Sequence, residues 1–210
     1  MISQKSIENI ESTIQLSFRE SEKIDGCIIC SMVMDYEFNL ISKLQFNIST
    51  DKNIREEVAA EGGFCDFHFR QFKKIANGKT NILLLKSIIE SGSFRNKNFL
   101  ANCRICSDIN QYEQKVVEIF PFLFNNQNFR KSFENSIGIC FDHLKMVTNI
   151  IEDKNISDWL FNTHMNQIGR LQKDFDDMNK IKSFYEIDRN KRKLINILIE
   201  KLAGRKTRSL

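Results

Sequence analysis

The six cysteines of this chain fall into two evenly spaced sets, and that spacing limits what it can fold into more than any other feature. Cys27-Ile28-Ile29-Cys30 is followed, beyond a long spacer, by Cys65-Asp66-Phe67-His68. Cys103-Arg104-Ile105-Cys106 is followed, beyond a spacer of almost the same length, by Cys140-Phe141-Asp142-His143. No cysteine is left over, and two of the three histidines are used. With Cys27 laid on Cys103 and one gap near Ser49, agreement extends over roughly fifty residues, as internal repeats do. Ile29 meets Ile105, Ser31 meets Ser107, Tyr36 meets Tyr112 and Glu37 meets Glu113. Asn53 then meets Asn128, Arg55 meets Arg130 and Gly63 meets Gly138. We read this register as a gene duplication.

The residue types point to metal ligation. A Cys-x-x-Cys at the start of a helix brings two thiolates together where the positive end of the helix dipole favours them. A Cys-x-x-His supplies two more donors, and Cys₃His is a tetrahedral set suited to zinc. Gly63 and Gly138 let the chain turn sharply as it delivers Cys65 and Cys140. The expected ligands are Cys27, Cys30, Cys65, His68, Cys103, Cys106, Cys140 and His143, for two zinc ions per chain. Four protein ligands leave no open position, which makes each site structural rather than catalytic. An iron–sulfur cluster is the alternative cofactor. Buried free cysteines give no reason for histidine to recur in register, and redox dithiols would call for a thioredoxin-like βαβ context that is missing.

Spacing does not fix which half-sites join, because the stretch from His68 to Cys103 is as long as that from Cys30 to Cys65. Pairing within each repeat is favoured, since one copy would then be a complete, closed site. Pairing across repeats, Cys65 and His68 with Cys103 and Cys106, stays open.

Composition supplies the fold class. Among 210 residues there are eight glycines and one proline, Pro121, too few turn formers for a β-rich chain. Apolar periodicity predicts helices over 3–23, from Cys30 onward through Val33, Leu40, Ile41 and Leu44, over 54–60, and over 69–75. Residues 80–90 lead into the second copy, in which Pro121 kinks or ends the long helix. Beyond Ile150 two helices follow, over 157–178, with Leu160, Ile168, Leu171 and Phe175 on one stripe, and over 188–203; residues 205–210 read as a frayed tail. The expected architecture is all-α: a first metal-binding repeat over 1–78, a second over 79–151, and a C-terminal helical segment over 152–210.

Residues 1–14 show no secretory pattern, and apolar runs such as 82–85 fall far short of the ~18 residues that span a bilayer. The expectation is a cytoplasmic protein without a membrane partner, in which cysteines serve metals rather than disulfides. A net charge of +4, with no basic run interleaved with aromatics, gives no nucleic-acid signal.

Glu37 and Glu113 each lie seven residues beyond a motif cysteine, nearly two helical turns, so each carboxylate faces as its cysteine does. Each either accepts the second ring N–H of a ligand histidine or pairs with Arg55 or Arg130; a third reading makes them ligands of a dinuclear centre. Tyr36 and Tyr112 read as core residues with tethered hydroxyls, and His164 as a surface or packing residue. Lys191, Arg192 and Lys193 read as a solvated face or a site for an anionic partner. No phosphate loop, serine nucleophile elbow or paired-carboxylate catalytic motif is present.

The stretches 27–30, Glu37, Asp51, Arg55 and 63–68, with 103–106, Glu113, Arg130 and 138–143, resemble an uncharacterised family of bacterial proteins. Its members carry Cys-Pro-x-Cys followed by Gly-Phe-Cys-x-x-His, usually twice. The similarity continues through Leu202-Ala203-Gly204. Ile28, Arg104 and Ile139 depart from the pattern, at positions that affect helix initiation and packing rather than ligation. The resemblance supports the ligands and implies no activity. The residues lead to a non-enzymatic interaction or scaffold protein with a protein partner, and second to a redox or electron-transfer protein.

Overall fold

A computed structural model of the chain describes residues 12–14, 26–95, 103–178 and 189–204, and every regular element among them is helical. They form α1 (Ile28–Thr50), α2 (Lys52–Ala60), α3 (Asp66–Ile75), α4 (Gly78–Ser91), a 3₁₀ turn (Ser93–Arg95), α5 (Arg104–Leu123), α6 (Gln127–Asn135), α7 (Phe141–Thr148), α8 (Lys154–Met178) and α9 (Arg189–Ala203). Most of the helix expected over 3–23 lies outside the described residues, although 12–14 are helical and Ile14 is buried. The tail over 205–210 and the side chain of Phe175 also lie outside them.

One order of elements occurs twice: long helix, short helix, turn, third helix. The long helices α1 and α5 begin one residue after Cys27 and Cys103, so each Cys-x-x-Cys opens a helix. The short helices α2 and α6 start with matching caps. Asp51 Oδ1 accepts from the amides of Asn53 and Ile54, and Asn126 Oδ1 from those of Asn128 and Phe129, which satisfies two orphan donors at each start. Arg55 donates to the carbonyl of Ile48 at 2.7 Å, and Arg130 donates to that of Phe124, each covering an acceptor at the end of the preceding long helix. α5 ends two residues beyond Pro121, which lacks an N–H and crowds the turn before it.

One helix boundary moved from its expected place. α3 starts at Asp66 rather than after His68, because Cys65 itself holds the extended cap position (φ −64°, ψ 164°). Cys140 does the same for α7 (φ −74°, ψ 169°). Both histidines therefore sit in a first helical turn, one turn from their cysteine partner.

Backbone packing divides the chain into two compact units, Met1–Met32 with Glu113–Lys206, and Val33–Tyr112 with Thr207–Leu210. Their borders fall inside α1 and α5, not at the repeat limits of 78 and 151. In the first unit α7, α8 and α9 pack together and α6 lies on α8. Its core joins Phe120, Phe124, Phe129 and Phe133 to Trp159, with edge-to-face contacts at 5.1–5.7 Å and Arg130 stacked 4.9 Å over the indole. Each such ring contributes roughly 1.5–3 kcal/mol by leaving water. In the second unit α2 packs on α4, with Val58, Ala59, Leu84 and Ile88 buried. The hydroxyls of Ser91 and Ser93 donate to the Ala59 carbonyl there.

Candidate metal centres

Each compact unit gathers four cysteine and histidine side chains. Cys27, Cys30, Cys140 and His143 form one cluster, and Cys65, His68, Cys103 and Cys106 form the other, with all donor atoms of a cluster within 4.8 Å of one another. The pairing within repeats, favoured from the sequence, is thereby corrected. Each cluster takes its Cys-x-x-Cys from one copy and its Cys-x-x-His from the other. All eight expected residues are brought together, and no cysteine forms a disulfide.

The edges of the clusters suit one small tetrahedral ion. His143 Nδ1 lies 3.3 Å from Cys27 Sγ, 3.4 Å from Cys30 Sγ and 3.1 Å from Cys140 Sγ. His68 Nδ1 lies 3.2 Å from Cys65 Sγ, 3.4 Å from Cys103 Sγ and 3.3 Å from Cys106 Sγ. The Cys30–Cys140 and Cys65–Cys106 sulfurs are each 3.8 Å apart. With Zn–S near 2.3 Å and Zn–N near 2.0 Å, a tetrahedron has edges of about 3.8 Å between sulfurs and about 3.5 Å between nitrogen and sulfur. The sulfur edges agree, and the nitrogen edges are slightly contracted.

On the far side of each ring stands a glutamate. Glu37 Oε1 lies 3.2 Å from His68 Nε2, and Glu113 Oε1 lies 3.1 Å from His143 Nε2. A carboxylate there favours the tautomer with the proton on Nε2, leaving the Nδ1 lone pair facing the sulfurs. Of the three readings, acceptance from the ring N–H is the one observed at Glu113, which is hydrogen-bonded to His143, while Glu37 stands at ion-pair distance from His68 without hydrogen-bond geometry. Arg55 and Arg130 bond to backbone instead, and neither carboxylate belongs to a donor cluster.

Charge in the clusters follows from crowding and burial. Burial opposes a charged ring at His68, yet the Cys103 sulfur and the Glu37 carboxylate hold its pKa up to about 10. Burial likewise opposes charge at His143, and the sulfurs of Cys140 and Cys30 with Glu113 hold it up to about 11. Cys103 has its thiol lowered to about 6, burial opposing and His68 prevailing, while burial and the neighbouring sulfurs push Cys106 well up. Cys27 is pushed up by burial, and hydrogen bonds from Cys27 and Cys30 pull Cys140 far down. Without a cation these directions favour a proton shared between sulfur and Nδ1, and a divalent cation would displace it and leave the Nδ1 lone pair as a donor.

The clusters differ in their cover. All four donors are buried around His143, whereas Cys65 and Cys106 are only half-buried around His68. Gly204, just past α9, closes the first: a Cβ there would sit 3.3 Å from Cys140 Sγ and 3.6 Å from Cys30 Sγ. The buried ammonium of Lys201, also on α9, donates to the Ile137 carbonyl at 2.6 Å and to Gln167 Oε1 at 3.0 Å. Burial lowers its pKa to about 7, against the pull of Cys27 and Cys140. Gln167 in turn donates to the Phe133 carbonyl. Gly138, at φ +78°, turns so close beneath Gln167 that a Cβ would fall 2.1 Å from its Oε1. Around the second cluster, Arg104 pairs with Glu61 at 2.6 Å on the protein surface.

Other expected residues fall as follows. Tyr36 and Tyr112 are not core residues but half-buried rings stacked on each other, with centroids 4.1 Å apart. His164 packs and is fully buried, against the edge of Phe141, and burial lowers its pKa to about 4. Lys191 is half-buried, and Arg192 and Lys193 are exposed. Sequence reasoning missed Lys201, Gln167 and Gly204. Only the lysine at a core-facing position of α9 offered any signal.

No described helix is long and apolar enough to cross a membrane. Comparison with curated proteins finds no match, and comparison with solved structures finds none. Residues 94–189, which carry Cys103, Cys106, Cys140 and His143 and all of α8, match DUF6062, a family of unknown function.

Proposed function

We propose that this chain is a zinc protein in which two structural Cys₃His ions hold short helices together, and that it works as an interaction module rather than as an enzyme. The observation that carries the reading is the double convergence of three sulfurs on one Nδ1, with a glutamate behind each ring. All four positions of a tetrahedral ion are then protein atoms, which leaves none for a substrate or a reactive water. Donors this close suit a single ion better than a multi-iron cluster, whose ligands bind different irons and stand farther apart. Structural zinc contributes on the order of 10 kcal/mol of apparent folding free energy, enough to secure helices of eight to ten residues.

The interaction role draws on α4. Its buried face carries Thr80, Leu84 and Ile88, while Ile82, Leu85 and Ile89, spaced i, i+3, i+7, are each more than half exposed on the other. Elemental analysis with an absorbance spectrum tests the metal. The expected result is two zinc per chain, no visible absorbance, and unfolding on chelation. Bound iron with visible colour overturns the zinc assignment, and a fold that persists without metal overturns the structural role.

A further inference from the structure

We propose that the Cys65/His68/Cys103/Cys106 centre is a site of modification by hydroperoxides. Cys65 and Cys106 join in a disulfide and expel the ion, while the Cys27/Cys30/Cys140/His143 centre stays loaded. The inference rests on the zinc reading above.

Access and distance select the pair. Cys103 is 6% exposed and His68 is fully buried, whereas Cys65 and Cys106 are the two half-buried donors of that cluster. Those two sulfurs are 3.8 Å apart, so a modest approach closes a bond of about 2.05 Å. They come from different motifs, one on the cap of α3 and one in the first turn of α5, so the geometry is unlike that of a Cys-x-x-Cys dithiol. The other cluster holds an equal pair, Cys30 and Cys140, also 3.8 Å apart, but both are buried and Gly204 stands against their sulfurs. Equal spacing with unequal access predicts unequal reactivity, since thiolate oxidation follows exposure.

The step balances with a hydroperoxide as oxidant. One of the two thiolates attacks the terminal peroxide oxygen; the O–O bond breaks, a sulfenic acid forms, and the alkoxide or hydroxide leaves with a proton. The second thiolate attacks that sulfur. The S–S bond forms, the S–O bond breaks, and hydroxide takes a second proton to become water. Two electrons pass from the sulfurs to the peroxide, and the cation does not change valence. Cys103 and His68 alone are half a tetrahedral set, so the ion departs.

The test uses the full chain loaded with zinc, its metal content measured first. Hydrogen peroxide is added in steps, released zinc is read with a chromogenic chelator, and thiols are alkylated in denaturant before peptide mass mapping. One zinc per chain should leave for each peroxide consumed, with the second at least ~10-fold slower. The mapped link should join Cys65 to Cys106, with Cys27, Cys30, Cys103 and Cys140 alkylated. Reductant and zinc should together restore the starting content. A protein that holds two zinc ions yet releases both at one rate, keeps both, or forms a Cys103–Cys106 link overturns the inference and leaves the zinc reading standing. A preparation that takes up no metal overturns both. Because the mapping is done on the natural sequence, no variant that fails to fold can confuse it.

Discussion

Around His143, four buried donors lie beneath the end of α9, with Gly204 against the sulfurs and Lys201 anchored close by. Around His68 the same residue types keep the same edges, but two of the three sulfurs meet solvent. Coordination and cover are therefore separate properties. The first comes from short motifs that occur twice. The second comes from whatever the rest of the chain lays over them, and at the buried centre that includes the end of α9.

The strongest way to break the comparison is to exchange ligand partners. Cys27→Ser with His143→Ala should leave one zinc per chain, because both changes fall in one cluster; Cys27→Ser with His68→Ala should leave none. Elemental analysis reads the difference, and the opposite result would restore pairing within repeats. Each lost ion should remove on the order of 10 kcal/mol of apparent folding free energy.

Lys201 gives the sealed centre's unit a pH dependence of its own. Its folded pKa of about 7 lies below the ordinary 10.5, so between those values the unfolded chain binds more protons than the folded one. Stability therefore rises with pH across that window, and is lowest below about 7. At about 1.4 kcal/mol per pH unit, the rise amounts to a few kcal/mol at most. Denaturant titrations of zinc-loaded protein at neutral and alkaline pH should show it, and Lys201→Met should flatten it. Parallel profiles for the two proteins would show that the ammonium carries no such penalty.

Next in size are the glutamates. Glu113→Gln and Glu37→Gln should each weaken zinc about 10–100-fold at one centre while leaving its partner intact, as competition with a chelator would record. An equal loss at both centres from one change would contradict the assignment of one carboxylate to one histidine. Gly204→Ala should cost about 1–2 kcal/mol, from its positive φ and the nearby Cys140 sulfur, and should hasten zinc loss from the sealed centre alone. Smallest of all, Asp51→Ala and Asn126→Ala should each cost about 1 kcal/mol in thermal unfolding, since both cap a nine-residue helix in the same way.

The ligands were legible in the sequence because thiols and imidazoles at fixed spacing have few other uses. Helix order was legible too, from the apolar period and from the scarcity of turn-forming residues. What spacing could not show was which half-sites meet, since His68 stands as far along the chain from Cys103 as Cys30 does from Cys65. Packing around α1 and α5 decides it, and the packed units cut both helices instead of following the repeats. The contribution of α9 was equally hidden. On the sequence Lys201 lies in the last helix and Gly204 just past it; the burial of one and the position of the other appear only in the fold. Glu37 and Glu113 had three readings on paper; the reach of Arg55 and Arg130 to backbone carbonyls and the hydrogen bond from His143 to Glu113 separated them.

Crossing the motifs also nests one loop of chain inside the other. The link from Cys65 to Cys106 spans 41 residues, and that from Cys30 to Cys140 spans 110 around it. Closing the longer span costs only about 1 kcal/mol more in chain entropy, so equilibrium hardly distinguishes them. Order of appearance does. A chain emerging from the ribosome has all four donors of the exposed ion once residue 106 is out, but must wait for His143 before the protected ion can close, and for the end of α9 before Gly204 can stand against its sulfurs.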